Sequence, residues 1–171
     1  MSDSRFYPQD AAVSDRLEGD GFVVRPLTVD DCALDLDAMR SRPRFRELTF
    51  EDNRADLERH EREHRDREAF TYTVMNADET RCLGCMYIVP LTESVHAGLV
   101  IFWMRPELVD KDFDVALFYA LHVWLRDSFA FESVAWRPDK SEDDATKRRQ
   151  AAMFAAVGLR RVEDVVDEMY A

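Results

Sequence analysis

The stretch AGLVIFWMRPELVDKDFDVALFYALHVWLR, residues 97–126, decides the fold. Residues 97–104 are continuously apolar, which is typical of a strand that is covered on both faces. Residues 105–111 follow as a loop marked by Pro106, and residues 112–126 are apolar on nearly all sides, which predicts a buried helix. A helix entered in this way presents unpaired backbone N–H groups at its N-terminus, where an anion such as phosphate can bind.

Three carboxylates, Asp110, Asp112 and Asp114, stand at this predicted helix entrance. Acidic side chains at a helix N-terminus are typical of capping and of a favourable interaction with the helix dipole, and we predict Asp112 as the N-cap. The same spacing begins a calcium loop of the EF-hand type. Val115 stands where that loop requires glycine and Leu121 is at its twelfth position, so calcium binding is not expected.

The sequence outside residues 97–126 predicts a single domain with further strands and helices. At 171 residues the chain matches the roughly 100–200 residues of a single domain. Residues 1–18 are polar and aperiodic, which predicts a tail, and the domain is expected over residues 19–171. Hydrophobic periodicity predicts strands at 21–27, 70–75, 82–90 and 132–136, helices at 28–40, 54–68 and 141–157, and a last strand or hairpin at 159–170.

The order of these elements predicts an α/β (α+β) fold. We expect a mixed, twisted sheet of about six or seven strands with helices on both faces. Capping patterns support the helix boundaries. The predicted N-terminal caps are Thr28 with Asp31, Asp52 or Asn53, and Ser141 with Asp144, and Gly158 is predicted as the C′ residue of the last helix.

The charge balance limits the partners of the protein. A net charge of −12 argues against nucleic acid and against an anionic membrane surface, both of which require Lys and Arg. The acidic field favours a cationic or amine-bearing partner, although an acidic surface also serves solubility alone. No signal peptide opens the chain and no apolar run approaches the roughly 18 residues of a membrane span, so a cytoplasmic protein is expected.

Three cysteines, Cys32, Cys82 and Cys85, are too few for a disulfide framework, which favours reduced thiols. Cys82 and Cys85 have the spacing of a redox motif or of half a zinc site. They fall in a predicted strand, where residues three apart face opposite ways, and no second pair is present. We therefore expect ordinary core residues and no metal.

The segment His60-Glu61-Arg62-Glu63-His64 matches the H-E-x-x-H pattern of zinc proteases. Its predicted helix carries charges on all sides and only two apolar residues, so a solvated surface helix is the preferred interpretation. His122 lies within the predicted buried helix, and we expect a structural role for it.

Four motifs together resemble the GNAT (GCN5-related N-acetyltransferase) superfamily. GFVVRPLTVDD at 21–31 resembles its first strand and turn, and RCLGCMYIVP at 81–90 its third strand. WMRPEL at 103–108, followed by the buried helix, resembles its fourth strand and cofactor-binding helix. MFAAVGLRRVEDV at 153–165 resembles its final helix and last strands, and the order of these elements is the specific part of the likeness.

The resemblance implies transfer of an acetyl group from acetyl-CoA to a small-molecule or peptide amine. It implies that the fourth strand, which separates from the fifth, offers backbone groups to the pantetheine arm, and that the following loop wraps the diphosphate. His96 or a water is the candidate base for direct attack of the amine on the thioester. The implied cofactor-binding residues are Trp103, Met104, Arg105, Lys111, Asp112, Phe113, Asp114 and Val115.

The sequence departs from the family pattern at the diphosphate loop. Val109, Asp112 and Asp114 replace the Arg or Gln and the two small residues of that loop, and carboxylates there add bulk and like charge, which Lys111 and Arg105 offset only in part. Phe154 stands where the family often has a Tyr that protonates the thiolate. The alternative hypothesis is therefore a non-catalytic binding module that keeps the scaffold and pairs with itself, as a homodimer, or with a partner.

Overall fold

The computed structural model describes residues 6–162 and 168–171. Within these residues, six strands form one sheet, and they follow one another across the sheet in chain order. The strands are β1 Leu17–Gly19, β2 Phe22–Pro26, β3 Phe70–Asn76, β4 Cys82–Pro90, β5 Gly98–Met104 and β6 Val134–Trp136. Neighbouring strands pair antiparallel except for β5 and β6, which are parallel, so the predicted mixed sheet is confirmed.

In the part of the chain that the structure describes, five α-helices cover the two faces of this sheet. Ala38 packs with Cys85 and Trp103 on one face, while Leu117 packs with Phe102 in the large core on the other face. Helices on both faces of a mixed sheet are the predicted α/β architecture. In the described part of the chain, no helix has both the length and the apolarity needed to cross a membrane. The helices are α1 Cys32–Arg40, α2 Phe50–Asp66, α3 Pro106–Val109, α4 Phe113–Ser128 and α5 Asp144–Ala156.

Two helix starts differ from the prediction because other side chains cap them. Thr49 accepts the N–H of Asp52 at 3.1 Å, so α2 begins four residues before the predicted residue 54. Asp143 accepts the N–H of Thr146 at 2.7 Å and caps α5, whereas the predicted cap Ser141 hydrogen-bonds Asp139. In both cases a neighbouring Ser, Thr or Asp competed for the same role, which sequence spacing alone does not decide.

The N-terminal segment contributes to the core, although the sequence predicted a tail there. Tyr7 is only 1% exposed, and its hydroxyl donates to the Ala12 carbonyl at 2.8 Å while accepting the N–H of Ala130 at 3.0 Å. Arg67 donates to the carbonyls of Pro8, Gln9 and Ala11. Strand β1 also lies partly within the predicted tail.

A β-bulge interrupts the pairing of β3 with β4. Val74 pairs with Gly84, but the next residue, Met75, pairs with Cys82, so Leu83 is skipped. The skipped residue turns Cys82 and Cys85 to the same face, where both join one apolar cluster. The prediction that these two cysteines face opposite ways is therefore wrong, because it assumed a regular strand.

The C-terminal segment closes the far edge of the sheet. Gly158 has φ +90° and follows Val157, the C-cap of α5, which confirms its predicted position as the C′ residue. Trp136 of β6 donates to the Tyr170 carbonyl at 2.7 Å, and Arg160 and Ala171 exchange two backbone hydrogen bonds. These contacts agree with a terminal hairpin, although part of the predicted span, residues 163–167, lies outside the described residues.

Candidate functional site

Strands β5 and β6 separate along their length. Their ladder ends where Val100 pairs with Trp136, and beyond it only the N–H of Arg137 reaches the Val100 carbonyl, at 3.1 Å. Strand β5 continues to Met104 without a β6 partner. The separation expected between the fourth and fifth strands of the resemblance is thus present, and it leaves strand backbone open to other partners.

Gln150 of α5 spans this separation. Its Nε2 donates to the Phe102 carbonyl at 3.0 Å, and its Oε1 accepts the N–H of Asp139 at 2.9 Å. The side chain is only 4% exposed. One amide therefore satisfies a strand carbonyl and a loop N–H that the diverging strands leave unpaired.

A cavity of about 220 Å³ lies next to this bridge, between β5, the start of α4 and the start of α5. Four carboxyl groups and two apolar strand side chains form much of its wall. The acidic wall favours a cationic ligand group over an anionic one. The lining residues are Pro43, Phe102, Met104, Pro106, Val109, Asp110, Asp114, Glu142, Asp143, Thr146 and Gln150.

Arg149 pairs with two of the aspartates at the entrance of α4. Its Nε and Nη2 donate to the two oxygens of Asp114 at 2.7 and 2.9 Å, and Nη2 also donates to Asp112 Oδ1 at 2.6 Å. The hydrogen bonds that Arg149 donates to Asp114, and then to Asp112, hold the pKa of its guanidinium above its usual value. A cation of the chain itself is therefore paired with the carboxylates at this helix entrance.

Asp112 is the N-cap of α4, as predicted, but its side chain does not cap the helix. Its φ of 58° lies in the left-handed region that favours glycine, the residue type that the resemblance places there. With Arg149 as its partner, the carboxylate points away from the backbone N–H groups of the first turn.

Arg42, which follows α1, forms ion pairs with the segment that precedes α5. Its Nη2 donates to Asp139 and pairs with Glu142, each at 2.9 Å, and its guanidinium lies 4.4 Å from the centre of the Trp103 ring. Burial raises the pKa of the Glu142 carboxyl despite this cation. Sequence reasoning missed Arg42 and Arg149, because their partners are distant along the chain.

The other predicted cofactor-binding residues divide between the cleft and the rest of the molecule. The Met104 side chain lines the cavity, whereas Trp103 faces the α1 side of the sheet and donates to the Tyr87 hydroxyl at 3.1 Å. The Arg105 guanidinium is buried, where Nε donates to the Cys82 carbonyl at 2.6 Å and Nη2 pairs with Asp37. Lys111 and Val115 are exposed, and Phe113 packs against Phe22.

His96 lies at the other end of β5 from the cleft. It precedes the strand, and its Nδ1 is 3.1 Å from the Ser133 hydroxyl, beside a separate open cavity of about 830 Å³. Seven strand residues at about 3.3 Å each separate it from the Met104 end by roughly 23 Å. The structure therefore does not bring this candidate base to the cleft.

The side chain of Phe154 lies in the hydrophobic core. Phe154 is fully buried between the rings of Phe118 and Trp136, at centre-to-centre distances of 5.2 and 5.8 Å, and has no proton to donate to a thiolate.

The two histidines of α2 lie against the sheet. His64 Nδ1 accepts the N–H of Thr71 at 3.3 Å, and burial lowers the pKa of its imidazole. His60 lies beside the same strand, 3.1 Å from the Thr71 hydroxyl. These histidines thus pack on the sheet instead of being solvated as predicted, because they lie on the inner face of α2.

No protein-family model and no curated protein matches the sequence. Solved structures do match it, and one is a protein of Bordetella pertussis assigned to the GnaT acetyltransferase family, with 12% identity and a TM-score of 0.67 over 92% of this chain and 96% of that one. The ribosomal-protein-S5-alanine acetyltransferase of Vibrio fischeri is 15% identical, with a TM-score of 0.66 over 92% and 93% of the two chains.

RimL, a ribosomal L7/L12 alpha-N-protein acetyltransferase solved in complex with coenzyme A, is 10% identical, with a TM-score of 0.63 over 91% of this chain and 96% of that one. At such identities a likeness establishes the fold and leaves the activity open. The sheet order, the separation of β5 from β6 and these structural matches together show that the protein has the GNAT fold.

Proposed function

We propose that the protein is an acyl-CoA-dependent N-acyltransferase that transfers an acyl group, such as acetyl, to an amine. The observation that carries this proposal is the cleft of the GNAT fold, where β5 runs on without a β6 partner beside the start of α4. Its cavity of about 220 Å³ is smaller than the roughly 300–1,000 Å³ of most ligand pockets, and it suits the narrow pantetheine arm of CoA.

The diphosphate of CoA fits this cleft only if Arg149 changes partners. In the structure its guanidinium is paired with Asp112 and Asp114, yet the side chain remains 34% exposed. Arg binds carboxylate and phosphate oxygens with the same forked geometry, so a diphosphate can replace the carboxylates. The two aspartates would then compete with the ligand, which predicts weak binding of CoA.

The acidic wall of the cleft supports a cationic acceptor. Asp110, Asp143 and Glu142 line the cavity, and the whole chain carries a net charge of −12. An amine that arrives protonated is attracted by this field, although it must lose its proton before it attacks the thioester. The RimL and S5 neighbours are named for ribosomal proteins, which supports a peptide amine as one candidate acceptor. The predicted cytoplasmic location remains a prediction.

A second candidate function is a non-catalytic binding module with the same scaffold. The observation that favours it is the closure of the cleft by the chain itself, with Gln150 on the Phe102 carbonyl and Arg149 on the aspartates of α4. Both contacts use groups that an acyl-CoA would need. Phe154 in place of a proton donor points in the same direction.

Calorimetry with CoA and acetyl-CoA at low salt separates the two candidates. Wild-type protein is compared with Asp112→Asn/Asp114→Asn, which removes the competing charges and frees Arg149. Two like charges about 4 Å apart cost on the order of 4 kcal/mol at an effective dielectric near 20, and partial pairing with Arg149 reduces this, so we expect about tenfold tighter binding by the variant. The control Asp30→Asn/Asp127→Asn removes two charges away from the cleft and should bind like wild type.

Micromolar binding by the wild type supports the acyltransferase, and a screen of amines for thiol release then identifies the acceptor. Binding by the cleft variant alone supports the non-catalytic module, since the two carboxylates then close the cleft. Binding by neither protein would rule out an acyl-CoA-dependent activity.

A further inference from the structure

A second cluster of reactive side chains lies on the other face of the sheet from the cleft. The ligand atoms of Asp35, Cys82 and Cys85 all lie within 4.8 Å of one another, and all three residues are buried. Within the described residues, this is the one group of three His, Cys, Asp or Glu side chains with such a spacing. Cys85 Sγ lies 3.5 Å from Asp35 Oδ1.

The bulge in β4 is what assembles this cluster. A regular strand would point Cys82 and Cys85 to opposite faces, whereas the skipped Leu83 turns both thiols towards α1. Asp35 reaches them from α1, one layer above the sheet. Bulges are over-represented next to functional sites, where they redirect a side chain.

The groups in direct contact with Asp35 do not balance a negative charge. Its side chain is 3% exposed, and its oxygens contact the Asn53 amide at 2.9 Å and the Cys85 thiol at 3.5 Å, both neutral groups. A buried carboxylate is ordinarily paired with a cation or coordinates a metal ion. The neighbouring thiols make a metal ion the cation that this position suits.

We propose that Asp35, Cys82 and Cys85 bind one Zn²⁺ ion. Thiolate and carboxylate ligands suit zinc, whereas Mg²⁺ and Ca²⁺ require oxygen ligands alone. Tetrahedral zinc with Zn–S bonds of about 2.3 Å places neighbouring ligand atoms about 4 Å apart, within the spacing seen here. The Thr73 hydroxyl, 3.5 Å from Cys82 Sγ, or a water completes the fourth position.

One buried arginine, Arg105, lies beside the site and can offset part of the charge of its loaded form. Zn²⁺ with two thiolates and one carboxylate carries one net negative charge, and the buried Arg105 guanidinium donates to the Cys82 carbonyl at 2.6 Å. Zinc binding releases the two thiol protons to solvent, so the affinity should rise with pH. No step at this site depends on the cleft or on acyl transfer.

Metal titration of the intact protein tests this site. Protein freed of metal by a chelator, with its thiols reduced, is titrated with Co²⁺ and then with Zn²⁺. We expect a thiolate-to-cobalt charge-transfer absorption that saturates at one ion per chain, disappears when Zn²⁺ displaces Co²⁺, and is accompanied by a rise in the melting temperature.

Cysteine variants assign the ligands. Cys82→Ser and Cys85→Ser should weaken zinc binding about a hundredfold or more, because even outer-shell partners of a metal are typically worth 10–100-fold. Cys32→Ser is the matched control, since the Cys32 thiol is also buried but contacts Asn53 and the Phe50 carbonyl outside the cluster. It should keep the wild-type affinity and stoichiometry.

The wild-type titration decides the question even if the cluster variants do not fold. Absence of the cobalt absorption, zinc bound at well below one ion per chain, or equal loss of binding in Cys32→Ser would overturn the proposal. So would a disulfide between Cys82 and Cys85 that forms in air and survives an excess of Zn²⁺, because a cystine provides no thiolate ligands.

Discussion

At the scale of single residues, Asp31 shows how one carboxylate can join several segments of chain. Arg25 on β2 donates to both of its oxygens at 2.8 and 2.9 Å, and the N–H of Thr28 donates at 2.9 Å, which forms the predicted contact ahead of α1. Burial alone would raise the pKa of this carboxyl, but the hydrogen bonds from Arg25 and Thr28 outweigh it and hold the pKa below its usual value. A group with a lowered folded pKa stabilises the fold when it is charged.

We expect Asp31→Asn to lower the free energy of unfolding by about 1.5–3 kcal/mol at neutral pH, the usual range for hydrogen bonds to charged groups. The loss should shrink as pH falls below about 3.9, the unfolded pKa, and through the lower folded value, because wild type then loses the charge too. Urea titrations across this range measure it. The exposed neighbour Asp30 supplies the control, Asp30→Asn, and a loss for Asp31→Asn that does not change with pH would contradict the prediction.

Residue-level prediction from the sequence succeeded for local roles and failed for distant partners. Asp112 occupies the predicted N-cap position without capping the helix through its side chain, and Asp114 lines the cavity. Their partner Arg149 is more than thirty residues away, and no local pattern identifies it. Gln150 was missed for the same reason, because its role depends on where β5 and β6 separate.

At the scale of elements, the apolar runs predicted the central strands well, because a strand that is buried on both faces has a continuous apolar sequence. Strand β4 begins and ends at the predicted residues, and β5 differs by one residue. The bulge between β3 and β4 was not predictable in this way, since periodicity does not show a skipped residue. That one irregularity decides where Cys82 and Cys85 point.

Gly84 lies next to this bulge and allows the close approach of β5, so its replacement should disturb β4 and β5 together. A Cβ at Gly84 would lie 2.1 Å from the Trp103 carbonyl oxygen, which is backbone and cannot move aside easily. We expect Gly84→Ala to destabilise the fold by about 1–3 kcal/mol or more, as overpacking does. Gly98→Ala, in the neighbouring strand, meets its nearest atom at 3.2 Å, the end of a Phe6 ring, and should cost clearly less.

Denaturant unfolding of the two variants measures this difference, and the reactivity of the cysteine thiols reports on the cluster. Gly84→Ala should expose Cys82 and Cys85 to a thiol reagent, whereas Gly98→Ala should not. Equal costs for both variants would show that the close approach at Gly84 is relieved by a small shift of the strands.

At the scale of the whole molecule, the order of elements was predictable but the closure of the core was not. Tyr7 is buried against Phe131, 4.7 Å between ring centres, and joins the N-terminal segment to the chain after α4. Two adjacent aromatic residues, Phe6 and Tyr7, in a polar stretch give no periodic pattern, so the sequence predicted a tail. The order of elements instead came from long apolar runs and capping patterns, and the resemblance to the GNAT superfamily rested on four motifs in that order.

The net charge of −12, from 35 acidic and 23 basic residues, predicts how salt affects the whole fold. Charges of one sign repel most strongly in the compact folded state. Raising NaCl from about 10 to about 150 mM shortens the screening length from about 30 to about 8 Å, which weakens this repulsion. We expect the free energy of unfolding to rise over this range, because exposed ion pairs lose little, each being worth only about 0–1 kcal/mol.

The variant Asp30→Asn/Asp127→Asn has two fewer negative charges and should show a smaller rise with salt than wild type. Urea titrations at several NaCl concentrations measure both slopes. Sedimentation at the same salt concentrations checks whether the predicted homodimer forms, since dimer dissociation would add its own salt dependence. A stability that falls as salt is added, in a protein that stays in one oligomeric state, would show that specific pairs such as Arg25 with Asp31 and Glu79 outweigh the overall repulsion.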